Sequence, residues 1–169
     1  MILRGEHVVL RTVSEKDVGR LVSILREPAV AARWGRPGGG DLETDVRGDF
    51  LGLDTAFAID VEGEVIGAIG ATEEPTPQYR SAGIDLFLTT ERHNQGIGTH
   101  AVRTMARYLI EERGHHRLTI DPAADNAAAI RCYEKVGFRP VGVMRRYEQG
   151  PDGTWHDGLL MELLAEDLA

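Results

Sequence analysis

The spacing of apolar and polar positions changes repeatedly along the chain, and each change marks a new element. Residues 7–11, His-Val-Val-Leu-Arg, read as a short strand. Ser14 then stands where a helix cap belongs, with Glu15 and Asp17 in the first turn and Leu21, Ile24 and Leu25 as the buried stripe. Residues 27–40 lose all periodicity, carry Pro28, Pro37 and the run Gly38-Gly39-Gly40, and read as irregular. Residues 42–53 read as a second short helix. Residues 55–61 and 64–72 alternate as strands about a Glu62-Gly63 turn, so they predict a hairpin, followed by a loop over 73–80. Gly67 and Gly70 inside the second of these strands predict a bulge or a close backbone approach.

A further strand, 82–88, leads into Gln95-Gly96-Ile97-Gly98-Thr99. There the period switches to helical. Ala101, Val102, Met105, Leu109 and Ile110 share one face, and Arg103, Arg107 and Glu111 another, to about Arg113. Residues 117–121 form the next strand, stopped by Pro122. Strand, helix, strand in this order predicts a parallel pair joined by a right-handed crossover. A helix over 126–136 ends at Gly137, and strands 138–147 and 155–163 close the chain around Gly150-Pro151-Asp152-Gly153. The expected fold class is α/β, one domain over residues 1–169.

The glycine junction is the first chemical feature. Two glycines let the backbone turn tightly, and the free amides of a new helix then face whatever sits there. An anion suits such an end, a pyrophosphate best. An ordinary helix entry has the same glycines, so the pattern alone leaves both readings open. Composition narrows the partners. With 27 acidic residues against 19 basic, the net charge is -8, which disfavours nucleic acid and favours cationic small molecules, although solubility alone also suits such a charge. No apolar run is long enough for a bilayer span, and no basic n-region opens the chain, so neither membrane association nor a signal peptide is expected. The single Cys132 excludes an internal disulfide and fits a reducing cytoplasm. The six histidines show no ligand spacing with cysteine or acids, so no metal is expected.

The run from Asp125 to Phe138, Asp-Asn-Ala-Ala-Ala-Ile-Arg-Cys-Tyr-Glu-Lys-Val-Gly-Phe, together with the strand and the His93-Asn94-Gln95-Gly96-Ile97-Gly98 loop, resembles the GCN5-related N-acetyltransferases over essentially the whole chain. Gly83-Ile84-Asp85, Asp121-Pro122 and residues 129–135 are similar to the aminoglycoside 6′-N-acetyltransferases within that family. Arg33-Trp34-Gly35 resembles a segment that borders the antibiotic in those enzymes. His93 departs from the family pattern, which has Arg or Gln there. The resemblance implies a mixed, mostly antiparallel twisted sheet of about six to seven strands flanked by about four helices. It implies acetyl-CoA as cosubstrate, its pyrophosphate on the amides of Gln95, Gly96, Ile97, Gly98 and Thr99 and its pantetheine arm along Phe87 and Leu88. The acceptor it implies is a polycationic amine such as an aminoglycoside, handled by a monomer or homodimer.

The residues carry matching chemistry. Asp85 alternates with Ile84 and Leu86, so it shares a face with Phe87. Asp is disfavoured in strands without compensation, and a partly buried carboxylate has the raised pKa a general base needs. An exposed or ion-paired acid is the bland reading, and the family match tips the balance to the base. Asn126 and Tyr133 lie seven apart on one helix face, so one ligand can touch both. Within reach of the departing thiolate, the Tyr133 phenol is the candidate acid, where the bland reading is a core tyrosine. Cys132 is expected to pack rather than to form an acetyl-enzyme, which favours direct transfer in a ternary complex. Asp121 ends the neighbouring strand and is expected to face the same cleft as Asp85, with Asp157 as a further substrate contact and Asp152, Glu73 and Glu74 as additional acids. Trp34 reads equally as a lid on a ligand or a plug on the core. Two alternatives remain: acetylation of a protein N-terminus or another small amine, suggested by an opening strand that resembles the ribosomal-protein acetyltransferases, and a non-catalytic acyl-CoA-binding sensor.

Overall fold

Strand alternation sends side chains to both faces of a sheet, and each face of this one is covered by its own helices. The computed structural model describes every residue, Met1–Ala169. Its strands are β1 (Ile2–Arg4), β2 (Val9–Thr12), β3 (Ala56–Val61), β4 (Glu64–Glu74), β5 (Ser81–Leu88), β6 (Arg117–Ile120), β7 (Arg139–Gln149) and β8 (Trp155–Leu164). The helices are α1 (Glu15–Leu25), α2 (Pro28–Trp34), α3 (Leu42–Phe50), α4 (Ile97–Glu111) and α5 (Ala127–Glu134). All eight strands join one sheet in the order β1-β2-β3-β4-β5-β6-β8-β7. Along β3, Phe57 and Ile59 pack in the cluster that holds α4, and Ala56 and Ala58 in the cluster that holds α1 and α3. β5 repeats this: Ile84 belongs to the α4 side and Phe87 to the α1–α3 side.

Two elements escape the sequence pattern, which raises the expected seven strands to eight and four helices to five. β1 is three residues long, too short to show a period, and is held by pairing of Leu3 with Leu10. α2 lies inside the stretch expected to be irregular. Pro28 is its first residue, where the fixed φ of proline suits a helix and its missing N–H costs nothing, and Val30 buries into the core. The hairpin of β3 and β4 forms as expected. A Cβ at Gly67 would run into the carbonyl oxygen of Phe87, which explains that glycine by close backbone approach. The entry to α1 is more elaborate than a single cap. Ser14 N and Oγ both donate to Asp17 Oδ2, at 2.8 and 2.9 Å, and two nitrogens of Arg11 donate to the same carboxylate at 2.9 Å. The Arg11 guanidinium holds the Asp17 carboxyl down at about 2.

β5 and β6 are parallel, and they determine where the site lies. Their register contains only Ala82 with Leu118 and Gly83 with Thr119. Beyond Gly83 the strands part, so residues 84–88 keep β4 as their only sheet neighbour. The α4 N-terminus and the α5 face stand over this opening.

Candidate active site

Two clefts meet at the parting of β5 and β6. The first, of about 390 Å³, lies between the end of β5, the start of α4, α5 and α2. Gly96 makes the turn into α4 with φ at 78°, in the left-handed region that glycine enters freely. The first amide bonded within the helix is that of His100, to Gly96 O at 3.2 Å. The amides of Ile97, Gly98 and Thr99 therefore remain as donors, and all of these residues line the cleft. Leu88 and Phe87 form the opposite wall. Phe87 is also a core residue, with its ring edge-on to Trp34 at 5.1 Å and to Phe50 at 5.8 Å. Gln95 stands outside the lining, because its side chain turns back to donate to Glu91 O at 2.9 Å. His93, the departure from the family pattern, places Nε2 3.0 Å from Leu88 O and so braces the end of β5. Cys132 lines the same cleft. Its thiol receives the Thr99 hydroxyl at 3.3 Å, and burial pushes its pKa up, away from thiolate character.

The second cleft, of about 600 Å³, has three carboxylates among its lining: Asp85, Asp121 and Glu148. Asp85 is accessible to solvent, yet protein surrounds it on most sides, because it lies in a concave floor. Desolvation by those walls, then the charges of Asp121 and Glu148, push its carboxyl up to about 6. Glu148 is raised in the same direction, by burial first and Asp121 second. Tyr147 donates a hydrogen bond of 2.6 Å to Asp121 Oδ2, and this bond with burial pushes the phenol up to about 12.

Arg33, Trp34, Leu86, Asn126 and Tyr133 line both clefts. Asn126 caps α5 by accepting from Ala129 N at 3.3 Å, which fixes the side chain at the junction. Tyr133 is buried and its hydroxyl makes no hydrogen bond within the chain. Burial, then the charges of Cys132, Asp85 and Asp121, raise its pKa, so the phenol keeps its proton. Trp34 satisfies both of its sequence readings, since it packs on Phe87 and lines the two clefts.

Asp157 does not belong with this group. Its carboxylate accepts from Arg146 N at 2.8 Å, and it lines neither cleft. Glu73 is spent on Arg113 and on His115, with Nε2 of the latter 2.7 Å away, and Glu74 accepts from Thr76 N. Asp152 is tied to Thr154 in the β7–β8 turn. The pattern reading missed Tyr147 and Glu148. The β7 register shifts between Met144 and Glu148, and Arg146 takes φ of 50° there. Such an irregularity resets the alternation, so the side on which Tyr147 and Glu148 emerge is not readable from spacing.

Residues 7–139 match the family described as "Acetyltransferase (GNAT) domain". The chain is 30% identical to aminoglycoside N(6′)-acetyltransferase type 1 of Klebsiella pneumoniae over 167 residues, covering 88% of this chain and 80% of that protein. It is also similar to a solved structure of AAC(6′)-Ib in complex with parmomycin and acetyl-CoA, at 25% identity, 96% coverage of each chain and a TM-score of 0.73. Mycobacterium smegmatis RimJ in complex with CoA-disulfide aligns at 26% identity and a TM-score of 0.81, covering 99% of this chain and 88% of that one. The eight-stranded sheet, the parted β5 and β6 and these matches define one class: the chain belongs to the GNAT acetyltransferase family and is an acyltransferase.

Proposed function

We propose that this protein transfers the acetyl group of acetyl-CoA to the 6′-amine of an aminoglycoside, by direct attack in a ternary complex. The observation that carries the reading is that Asp85 and Tyr133 lie where an α4-capped cleft meets a cleft lined by carboxylates. Acetyl-CoA suits the first cleft. The amides of Ile97, Gly98 and Thr99 suit its pyrophosphate, and the open side of β5 suits an extended amide arm. Bound there, it supplies a thioester at the junction.

An ammonium group must lose a proton before its nitrogen can attack. Asp85, pushed up to about 6, is ionised at neutral pH and basic enough to take that proton, directly or through water. Tyr133, protonated and without a partner, is placed to give a proton to the departing sulfur. A thiol tied to Thr99 and kept neutral by burial supports transfer without an acetylated Cys132. Asp121 and Glu148 with Asp85 suit several ammonium groups at once, and the net charge of -8 draws polycations toward them. Likeness to the Klebsiella enzyme supports the same substrate class.

A likeness over 47% of the chain, at 33% identity, to the ribosomal protein bS18-alanine N-acetyltransferase of Escherichia coli favours a second reading, acetylation of an alanine-led protein. The test is mass spectrometry of products from acetyl-CoA with kanamycin and, separately, with an alanine-led peptide. Acetylated kanamycin is the expected product. An acetylated peptide with unmodified kanamycin transfers the assignment to the second reading.

A further inference from the structure

α2 is fastened unequally at its two ends. At its start, Glu27 Oε1 accepts three hydrogen bonds from the segment after β5: Thr89 Oγ1 at 3.0 Å, Thr90 N at 2.9 Å and Thr90 Oγ1 at 2.6 Å. Val30 is buried beside this anchor. At its far end, one side-chain bond crosses to the opposite bank. Arg33 Nη1 donates to Asp125 Oδ1 at 2.6 Å. Asp125 immediately precedes Asn126, so this pair spans the junction from α2 to the loop before α5. Past Arg33, the Gly35 backbone lies against Pro151 of the β7–β8 turn, where a Cβ would come within 2.9 Å of the proline ring. Pro37 is then followed by Gly38 and Gly39, both at positive φ with open space around them.

The side chains of Arg33 and Asp125 are 44% and 79% exposed. A pair so open to water is weak, of the kind that forms and breaks readily and is screened by salt. The pair nevertheless sits one residue from Trp34, whose indole lines both clefts and rests on Phe87. The far end is thus tied by exposed ion pairs alone among its side-chain bonds, Arg33 to Asp125 and, two residues past Trp34, Arg36 to Asp45 and Asp49 of α3 at 3.3 Å, with glycines beyond them, whereas the near end is anchored by three hydrogen bonds to Glu27.

We propose that the Arg33–Asp125 ion pair is a clasp that holds Trp34 down over the junction of the two clefts. Arg33 and Asp125 are positioning residues: they act on the acceptor through the place of Trp34. The closed clasp gives the acceptor amine a wall facing Asp85. Released, it lets the acceptor in and the product out. The pair also masks the Arg33 cation, which would otherwise repel a polycation from the acidic cleft.

The clasp itself is independent of which amine is acetylated, and only the kinetic part of its test rests on the function proposed above. In a W155F background, Trp34 is the only tryptophan and its quenching by acrylamide reports how far it is covered. R33Q and D125N are each expected to raise the quenching constant about twofold, as the unmodified clasp does in high salt. The charge-reversed chain R33D/D125R is expected to restore it. With kanamycin and saturating acetyl-CoA, each single variant is expected to raise KM about three- to fivefold with kcat within twofold, and the reversed pair to recover KM. Quenching and KM unchanged in both single variants would overturn the clasp, and so would a reversed pair that behaves like the worse single variant. Absence of kanamycin turnover in the unmodified chain bears on the substrate alone, because the quenching experiment still decides the clasp.

Discussion

Tyr147 donates a 2.6 Å hydrogen bond to Asp121, which ties an irregular stretch of β7 to the end of β6 across the acidic cleft. The bond orients one carboxylate without neutralising it. Y147F leaves the ring in place and frees that carboxylate to swing. KM for kanamycin is expected to rise about three- to tenfold, the range for one ordinary net hydrogen bond. kcat is expected to stay near its original value, since Asp85, the proposed base, is untouched. Steady-state kinetics at fixed acetyl-CoA measure both, and a fall confined to kcat contradicts the positioning role.

The pH profile tests Asp85. A base held at about 6 is ionised above that pH, so kcat/KM is expected to fall as pH drops through about 6. The Asp121 charge disfavours ionisation of Asp85. D121N removes that charge, lowers the pKa of Asp85 and moves the acid limb to lower pH. E148Q is expected to move it the same way by less, as the weaker of the two charges. D85N is expected to lose turnover about 100-fold above pH 7, the scale of general-base catalysis, and the deficit is expected to narrow as pH falls through about 6 and the unmodified carboxylate is itself protonated. An acid limb that stays in place in D121N would show that another group sets it.

Y133F separates catalysis from folding. The Tyr133 hydroxyl has no partner inside the chain, so removing it leaves no group unsatisfied. The melting temperature is expected to hold or rise slightly, and acetyl-CoA affinity to stay within about twofold. kcat is expected to drop by roughly 10- to 100-fold if the phenol protonates the leaving sulfur. Calorimetry together with single-turnover rates decides this, and normal turnover makes Tyr133 a core residue.

Asp17 gives a stability prediction away from the site. Its carboxylate is held at about 2 by Arg11, and its side chain is 7% exposed. A lowered pKa stabilises the fold above the ordinary carboxylate range, and that contribution disappears as pH falls through about 2. D17N leaves Arg11 with Asp60 as its remaining partner, 3.2 Å away, and is expected to cost about 1–2 kcal/mol in urea unfolding at neutral pH, the scale of hydrogen bonds to a charged group. Its stability is expected to vary less between pH 5 and 2 than that of the unmodified protein.

Much of this arrangement is legible in the residue pattern, for physical reasons. Asp85 is visible because β5 alternates without a break and an acid there interrupts an apolar strand. Asn126 and Tyr133 share a side because α5 keeps its period from cap to last turn. The glycine loop is visible because the period changes across it. What the pattern hides lies where local order is too short or is reset. α2 has seven residues, two of them paired alanines that mark no face. Asp157 looks like a cleft acid until the β7 irregularity requires its carboxylate for the Arg146 amide. That same irregularity turns Tyr147 and Glu148 into the cleft. The Arg33–Asp125 pair joins residues 92 positions apart, and nothing local announces it.

The brief pairing of β5 with β6 makes the middle of the sheet its most sparsely hydrogen-bonded seam. Only two residue pairs join strands β1–β5 to the trio β6–β8 before the backbones part. A molecule laid along residues 84–88 and held by α4 acts as a rivet through that seam, so occupancy and cohesion rise together. At about 100 times its dissociation constant such a ligand adds about 2.7 kcal/mol to the folded state. In a cell rich in the cofactor, the two halves would stay closed and resist proteolysis.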